Sequence, residues 1–258
     1  TMKQAVLLIL LAVVMGCNER TNEQITHIKP QFINASDFEF IEMMRQSPIN
    51  IDAESAQSVH HSNITFNYPH DLELKVINTG SPGEFAAIKA KVEHGAAYIH
   101  YEGERYDLLQ FHWHTMSEHE LNGEEFPMEV HFVHQKDGAK DLEDLLVIGV
   151  WFEVGESDSE LSQILSDMPA TEKDYRKIKH VDINHMIPAS LESYRYAGSL
   201  TTPPFTESVQ WIVMKRPMEV SEADLSAYKT MFPEGNTREV QPLNDRVVTV
   251  SAPVVATQ

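Results

Sequence analysis

Residues 108–135 read LLQFHWHTMSEHELNGEEFPMEVHFVHQ, and the spacing of the histidines in this stretch decides how the rest of the chain is read. Five imidazoles fall within it: His112, His114, His119, His131 and His134. Side chains of a β-strand alternate between its faces, so residues i and i+2 point the same way. His112 and His114 therefore share a face, with Trp113 behind them. In the following run Glu129, His131 and Val133 share one face, and His134 takes the other. Asn122-Gly123, between the two runs, is a strong turn signal. A hairpin symmetric about that turn sets His114 opposite His131 and His112 opposite Val133, although Pro127 and the acidic residues before it can bulge the loop. Directly opposed side chains stand about 5 Å apart at Cβ, so three imidazoles can converge on one ion. Three neutral imidazoles suit Zn2+, which takes nitrogen at about 2.0–2.1 Å and, with three protein ligands, keeps a fourth position open to water. An HxH pattern alone equally describes packing histidines; the third histidine of matching parity favours the metal. His119, in the turn, and His134, facing away, are expected to be structural.

The chain around this stretch has 258 residues, enough for one large domain or two small ones with a sizeable core. Its formal charge of −19 serves solubility and, by repelling phosphates, argues against nucleic acid as a partner. Residues 2–17, MKQAVLLILLAVVMGC, carry a lysine, an apolar run short of a comfortable membrane span, and a small residue before cysteine. The ending Val14-Met15-Gly16-Cys17 resembles a bacterial lipoprotein signal. Residues 1–16 are then expected to be removed, Cys17 to carry lipid, 17–37 to form a flexible tether and 38–258 a single domain. A plain secretory signal with an incidental cysteine is the alternative. Cys17 is the only cysteine, so no disulfide can form within the chain. The expected location is outside the cytoplasm, periplasmic or at the cell surface, on a membrane through the lipid anchor.

From about Phe38 the pattern is dominated by strands. Leu72–Val76 and Ala97–Tyr101 alternate, while Leu145–Val154 and Val209–Met214 are apolar runs rich in β-branched and aromatic residues. Helices are expected over Ser157–Leu165 and Ser221–Tyr228, the second with a capping pattern of Ser221 and Asp224.

Five segments stand in one order along the chain: QSPINI (Gln46–Ile51), QFHWH (Gln110–His114), EVHFVH (Glu129–His134), SLTTPP (Ser199–Pro204) and QPLNDR (Gln241–Arg246). With them the chain resembles the α-class carbonic anhydrases from Gln46 to Val248. The resemblance implies a mainly β (α+β) fold: a single domain on a large, twisted, mostly antiparallel central sheet with short peripheral helices. It implies zinc-dependent, reversible hydration of carbon dioxide to bicarbonate and a proton by attack of zinc-bound hydroxide. The water pKa of about 7 behind that chemistry is a value established for carbonic anhydrases, not one obtained from this chain. It makes His112, His114 and His131 the metal ligands, with Gln110 and Glu129 as the acceptors that orient them. Thr201 matches the family's gatekeeper threonine, Glu118 the carboxylate that accepts from its hydroxyl, and Thr202 a neighbouring polar contact. An apolar wall for carbon dioxide is implied at Val133, which parity also puts on the ligand face, and at Val147, Leu200, Val209 and Trp211. All five otherwise read as core.

The chain departs from the family's pattern at several points. Fast members export the proton through a histidine after an Asn-X-Gly stretch. Here Asn78-Thr79-Gly80 is followed by Ser81, which cannot carry a proton at neutral pH, so hydration is expected to depend on buffer. Phe205 stands where many exported bacterial relatives place a disulfide cysteine, so packing and the prolines must hold the loop bearing Thr201. Residues 18–47 lack the Trp and Tyr with which relatives tend to open. A homodimer is allowed by analogy with bacterial relatives. Two other functions compete: a catalytically weak or silent surface binding lipoprotein on this scaffold, and a zinc hydrolase of esters. Silent members typically lose a ligand histidine, and this chain keeps all three together with Glu118 and Thr201.

Overall fold

The computed structural model describes residues 43–60, 63–80, 85–156, 159–172 and 174–251. The expected leader and tether, the first residues of the expected domain, and Ser81 lie outside them. Among the described residues thirteen strands join one mixed, mostly antiparallel sheet, with the twist that right-handed strands impose. Through its middle run Leu72–Asn78, Ile88–Lys91, Glu104–His114, Met128–Lys136, Leu145–Val154, Glu207–Met214 and Ser193–Ser199, side by side in that order. Neighbours are antiparallel except where Leu145–Val154 runs parallel to Glu207–Met214. Among the described residues no helix is long and apolar enough to cross a membrane.

The two histidine-bearing strands lie at the centre of the sheet, and both of their faces are covered. On one side Phe111, Trp113, Val130, Phe132, Leu146 and Ile148 pack with Leu161, Ile164, Leu225 and Tyr228 from two helices. On the other, Val133, Leu145, Val147, Trp151 and Trp211 pack with Ile49, Ile51, Tyr194 and Tyr196. Burial on both faces explains why Leu145–Phe152 reads as a continuous apolar run, without the alternation of a half-solvated strand. The helices are Ser159–Ser166 and Glu222–Met231. Ser221 caps the second, its hydroxyl accepting from Asp224 N at 3.1 Å, as the capping pattern predicts.

The register of the two histidine strands differs from the symmetric hairpin. His112 pairs with His131, His114 with Glu129, and Gln110 with Val133. The Asn122-Gly123 turn does form, both residues having positive φ, but it closes a small ladder of its own in which Leu121 faces Glu124. Glu120–Leu121 is also held in parallel by Asn50–Ile51. Counted between the paired positions of the two ladders, the arm leading in, 115–119, is two residues longer than the arm leading out, 126–128. The main strands therefore slide by two residues relative to the symmetric register. A slide of two preserves every side chain's face, whereas a slide of one would reverse it.

Candidate metal centre

The parity of the strands puts Gln110, His112, His114, Glu129, His131 and Val133 on the face that carries the second core cluster. His112 and His114 have ring centroids 5.0 Å apart, and His131 lies 5.4 and 4.7 Å from them. One ring nitrogen from each of the three falls within 4.8 Å of the others.

Each imidazole is turned by a different acceptor. His112 Nδ1–H donates to Gln110 Oε1 at 2.9 Å. His114 Nδ1–H donates to the carbonyl of Asn236 at 2.7 Å. His131 Nε2 lies 2.9 Å from Glu129 Oε1, within charge-attraction range although the ring N–H is angled off the line of a hydrogen bond. These contacts leave Nε2 of His112 and His114 and Nδ1 of His131 turned inward. His114 Nε2 is buried with no hydrogen-bond partner. A buried lone pair with nothing to accept is costly in an apolar setting, and a cation shared with its neighbours removes that cost. The donor set, three imidazoles of which two are oriented by neutral acceptors and one by a carboxylate, fits zinc.

Glu129 is fully buried and held from three sides. Its Oε2 accepts from the backbone N–H of Glu118 and of His119, both at 2.9 Å, and its Oε1 lies 2.8 Å from His119 Nδ1. The two extra residues of the incoming arm thus fold around this carboxylate. Gly149, paired with His131 on the next strand, makes room for it: a Cβ there would stand 2.8 Å from Glu129 Oε1. Burial alone would raise the pKa of Glu129, but the charges of His119 and His131 and the hydrogen bond with His119 win and hold it well below the usual carboxylate range. Burial likewise lowers His131, and there Glu129 wins and raises it. His112 is pushed well below the ordinary imidazole value by burial and then by His114, His131 and Lys89. His114 is also lowered, chiefly by burial. A second group, His119, Glu129 and His131, also comes within ligand distance. His119 is already engaged at both ring nitrogens, by Glu129 and by the Tyr196 hydroxyl at 2.7 Å, so the open trio is the better metal site.

A cavity of about 410 Å³ opens beside His112 and His131. Val133, Val147, Leu200 and Trp211 line it, with Thr201, Thr202, Gln110 and Lys89. Val209, 1 % exposed, is not among the residues lining the cavity; it packs in the same core cluster as Val133, Val147 and Trp211. Glu118 is buried, its Oε1 accepting from the backbone N–H of Arg238 at 2.9 Å. The resemblance implies a hydrogen bond from the Thr201 hydroxyl to Glu118, and none is formed. Glu118 Oε2 instead faces the imidazoles, 3.4 Å from His114 Nε2 and 3.6 Å from His131 Nδ1.

The loop bearing Thr201 is braced through Phe205. Its ring packs edge-on against Phe85 at 5.5 Å and under the Arg238 guanidinium at 3.9 Å, and its carbonyl accepts from Gln46 Nε2 at 3.2 Å. Phe205 has φ of 59°, a conformation rare for a bulky residue and held here by these contacts. Arg238 also donates through Nη1 to Gln46 Oε1 and Ser47 O, so one side chain ties the loop to the segment that fixes Glu118. Sequence reasoning did not find Asn236, Arg238, Lys89 or the role of His119. Asn236 lies 122 positions from His114 and acts through its backbone, which leaves no local signal. His119 adjoins Glu118, and that adjacency was the only hint.

The model of the eukaryotic-type carbonic anhydrase family matches residues 34–252. The carbonic anhydrase of Klebsiella pneumoniae is 38 % identical over 206 residues, covering 80 % of this chain and 79 % of that protein. That of Nostoc sp. is 34 % identical over 209 residues, covering 79 % and 75 %. Among solved structures, the α-carbonic anhydrase of Thermovibrio ammonificans in complex with the inhibitor sulfanilamide superposes with a TM-score of 0.73 at 36 % identity, over 80 % of this chain and 87 % of that one. With the match spanning most of the chain, and relatives above 30 % identity spanning about four-fifths of it, the chain belongs to the eukaryotic-type, or α, carbonic anhydrase family.

Proposed function

We propose that the chain catalyses the reversible hydration of carbon dioxide to bicarbonate and a proton at a zinc ion held by His112, His114 and His131. The observation that carries the proposal is the convergence of one nitrogen from each of three buried imidazoles within 4.8 Å, with hydrogen-bond acceptors behind His112 and His114 and the Glu129 carboxylate beside His131. Bound zinc supplies the Lewis acidity that makes water nucleophilic near neutral pH. Gln110, the Asn236 carbonyl and Glu129 set the tautomer and angle of the three rings, and the charge of Glu129 adds basicity to His131.

Carbon dioxide is apolar and makes no strong directed bonds. The wall of Val133, Val147, Leu200 and Trp211 beside His112 and His131 suits it by exclusion of water rather than by donors. Thr201 stands on the same cavity, where its hydroxyl would orient the attacking oxygen if it donated a hydrogen bond to the Glu118 carboxylate. Thr202 offers a second polar contact there. No further histidine lines the cavity among the described residues, so the released proton passes to external buffer and turnover rises with buffer concentration. The test is zinc analysis and stopped-flow hydration of wild type and His114→Ala, with and without chelator. Full activity without zinc, or without His114, overturns the proposal.

We also propose that the chain is exported and anchored through lipid on Cys17, periplasmic or at the cell surface. Wild type partitioning into detergent and Cys17→Ser into the aqueous phase supports this; equal partitioning removes it.

A further inference from the structure

We propose that Lys89 and the side-chain amide of Gln110 form an anion subsite on the wall of the cavity, fitted to a small planar oxyanion of the bicarbonate class. The inference rests on the reading of this cavity as the place where bicarbonate is made, but the subsite is defined by donors that exist independently of it. Lys89 lies directly across from His112 on the neighbouring strand, and Gln110 stands two residues before His112. Lys89 and Gln110 are therefore diagonal neighbours, a spacing that long side chains bridge. Both line the cavity.

Lys89 carries the one fixed charge among the described residues of the lining. The chain has 39 acidic side chains, and Lys136, Lys177, Lys179 and Lys215 each stand within 3.4 Å of one. Lys89 makes no salt bridge among the described residues, although it sits in a recess where a bare ammonium loses hydration.

Gln110 has its acceptor oxygen committed to His112. What it has left for the cavity is the NH2 group, a pure donor. Thr79 Oγ1 accepts from Ala87 N, so its hydroxyl too has a proton to give. The indole N–H of Trp211 is spent on the Ser199 carbonyl, which leaves the opposite wall apolar. One side of the cavity thus offers a cation and donors, while Val133, Val147, Leu200 and Trp211 offer only hydrocarbon. Neutral carbon dioxide has no use for the first side; an oxyanion does. In a chain of charge −19, whose repulsion of anions is screened beyond about a Debye length, such a local cation decides whether an anion settles.

The test uses the zinc-loaded protein with nitrate, a planar oxyanion that does not react. Nitrate inhibition of hydration is measured at constant ionic strength for wild type, Lys89→Gln and Lys89→Arg. Nitrate binding is followed in parallel by the chemical shifts of the backbone amides of residues 88–91 and 110–112, a readout that needs no turnover. Loss of one charge-assisted contact is expected to weaken nitrate about tenfold in Lys89→Gln by both measures, with Lys89→Arg keeping most of the affinity. Equal affinities in wild type and Lys89→Gln overturn the subsite and leave the hydration reading standing. A wild type that binds nitrate through Lys89 but does not hydrate carbon dioxide keeps the subsite and ends that reading.

Discussion

His131 and His134 stand three residues apart on one strand, each no more than 1 % exposed, on opposite faces of the sheet. His131 meets two other imidazoles, the Trp211 ring at 4.8 Å and the Glu129 carboxylate at 2.9 Å. His134 Nε2 meets the Tyr68 hydroxyl at 2.6 Å, the two ring planes lying within 8° of parallel. No carboxylate lies within ion-pair distance of it among the described residues. Burial then acts on His134 with little opposition and brings its pKa from 6.5 to about 4, while on His131 the same burial is outweighed by Glu129. Desolvation by itself yields an inert neutral ring. Chemistry at this site requires convergence on one point and an oriented partner behind each ring.

The comparison can be broken at either face. Removing a member of the trio should have the largest effect: His114→Ala is expected to lower kcat/KM for hydration on the order of 10⁴-fold and to abolish stoichiometric zinc, with the fold retained. Zinc content and circular dichroism on one preparation check it. On the other face, Phe132→Ala, beside Tyr68, is expected to cost about 3–5 kcal/mol of stability while zinc per folded molecule stays at one. Urea unfolding with metal analysis separates the two quantities.

His134 gives a pH test of the same contrast. Its folded-state pKa of about 4 lies below the unfolded value near 6.5, so the unfolded chain binds the extra proton first as pH falls. Its contribution is whole above pH 6.5 and is lost on acidification towards pH 4, at a cost of about 3 kcal/mol. His134→Leu should flatten the stability profile in that window by this amount; an unchanged slope would show that His134 is not its source. The smallest effect expected is at the carboxylate behind His131. Glu129→Gln keeps the shape but removes the charge, and zinc affinity should fall about 10- to 100-fold, read by competition with a chelator.

Much of the sheet was legible because its signals are local. The strands around Leu72–Val76, Leu145–Val154 and Val209–Met214 formed where alternation and apolar runs placed them, and Ser221 capped its helix. The faces of His112, His114, His131 and His134 followed from parity. Less local features were not legible. Arg238 touches Phe205 and Glu118 from 33 and 120 positions away, and no spacing rule links them. Lys89 carries no local mark of a role in Ile-Lys-Ala-Lys, and only the sheet makes His112 its neighbour. Val209 matched a wall position by resemblance; it packs in one cluster with Val147 and Trp211 without itself lining the cavity.

The sequence by itself determined which way each imidazole points, since the two-residue period of an extended chain comes from the stereochemistry of neighbouring peptide units and needs nothing distant. Only the tertiary structure decided what each imidazole meets. Register depends on the unequal arms of the 115–128 connection, and the acceptor for His114 arrives from residue 236, so both are products of long-range packing and chain closure.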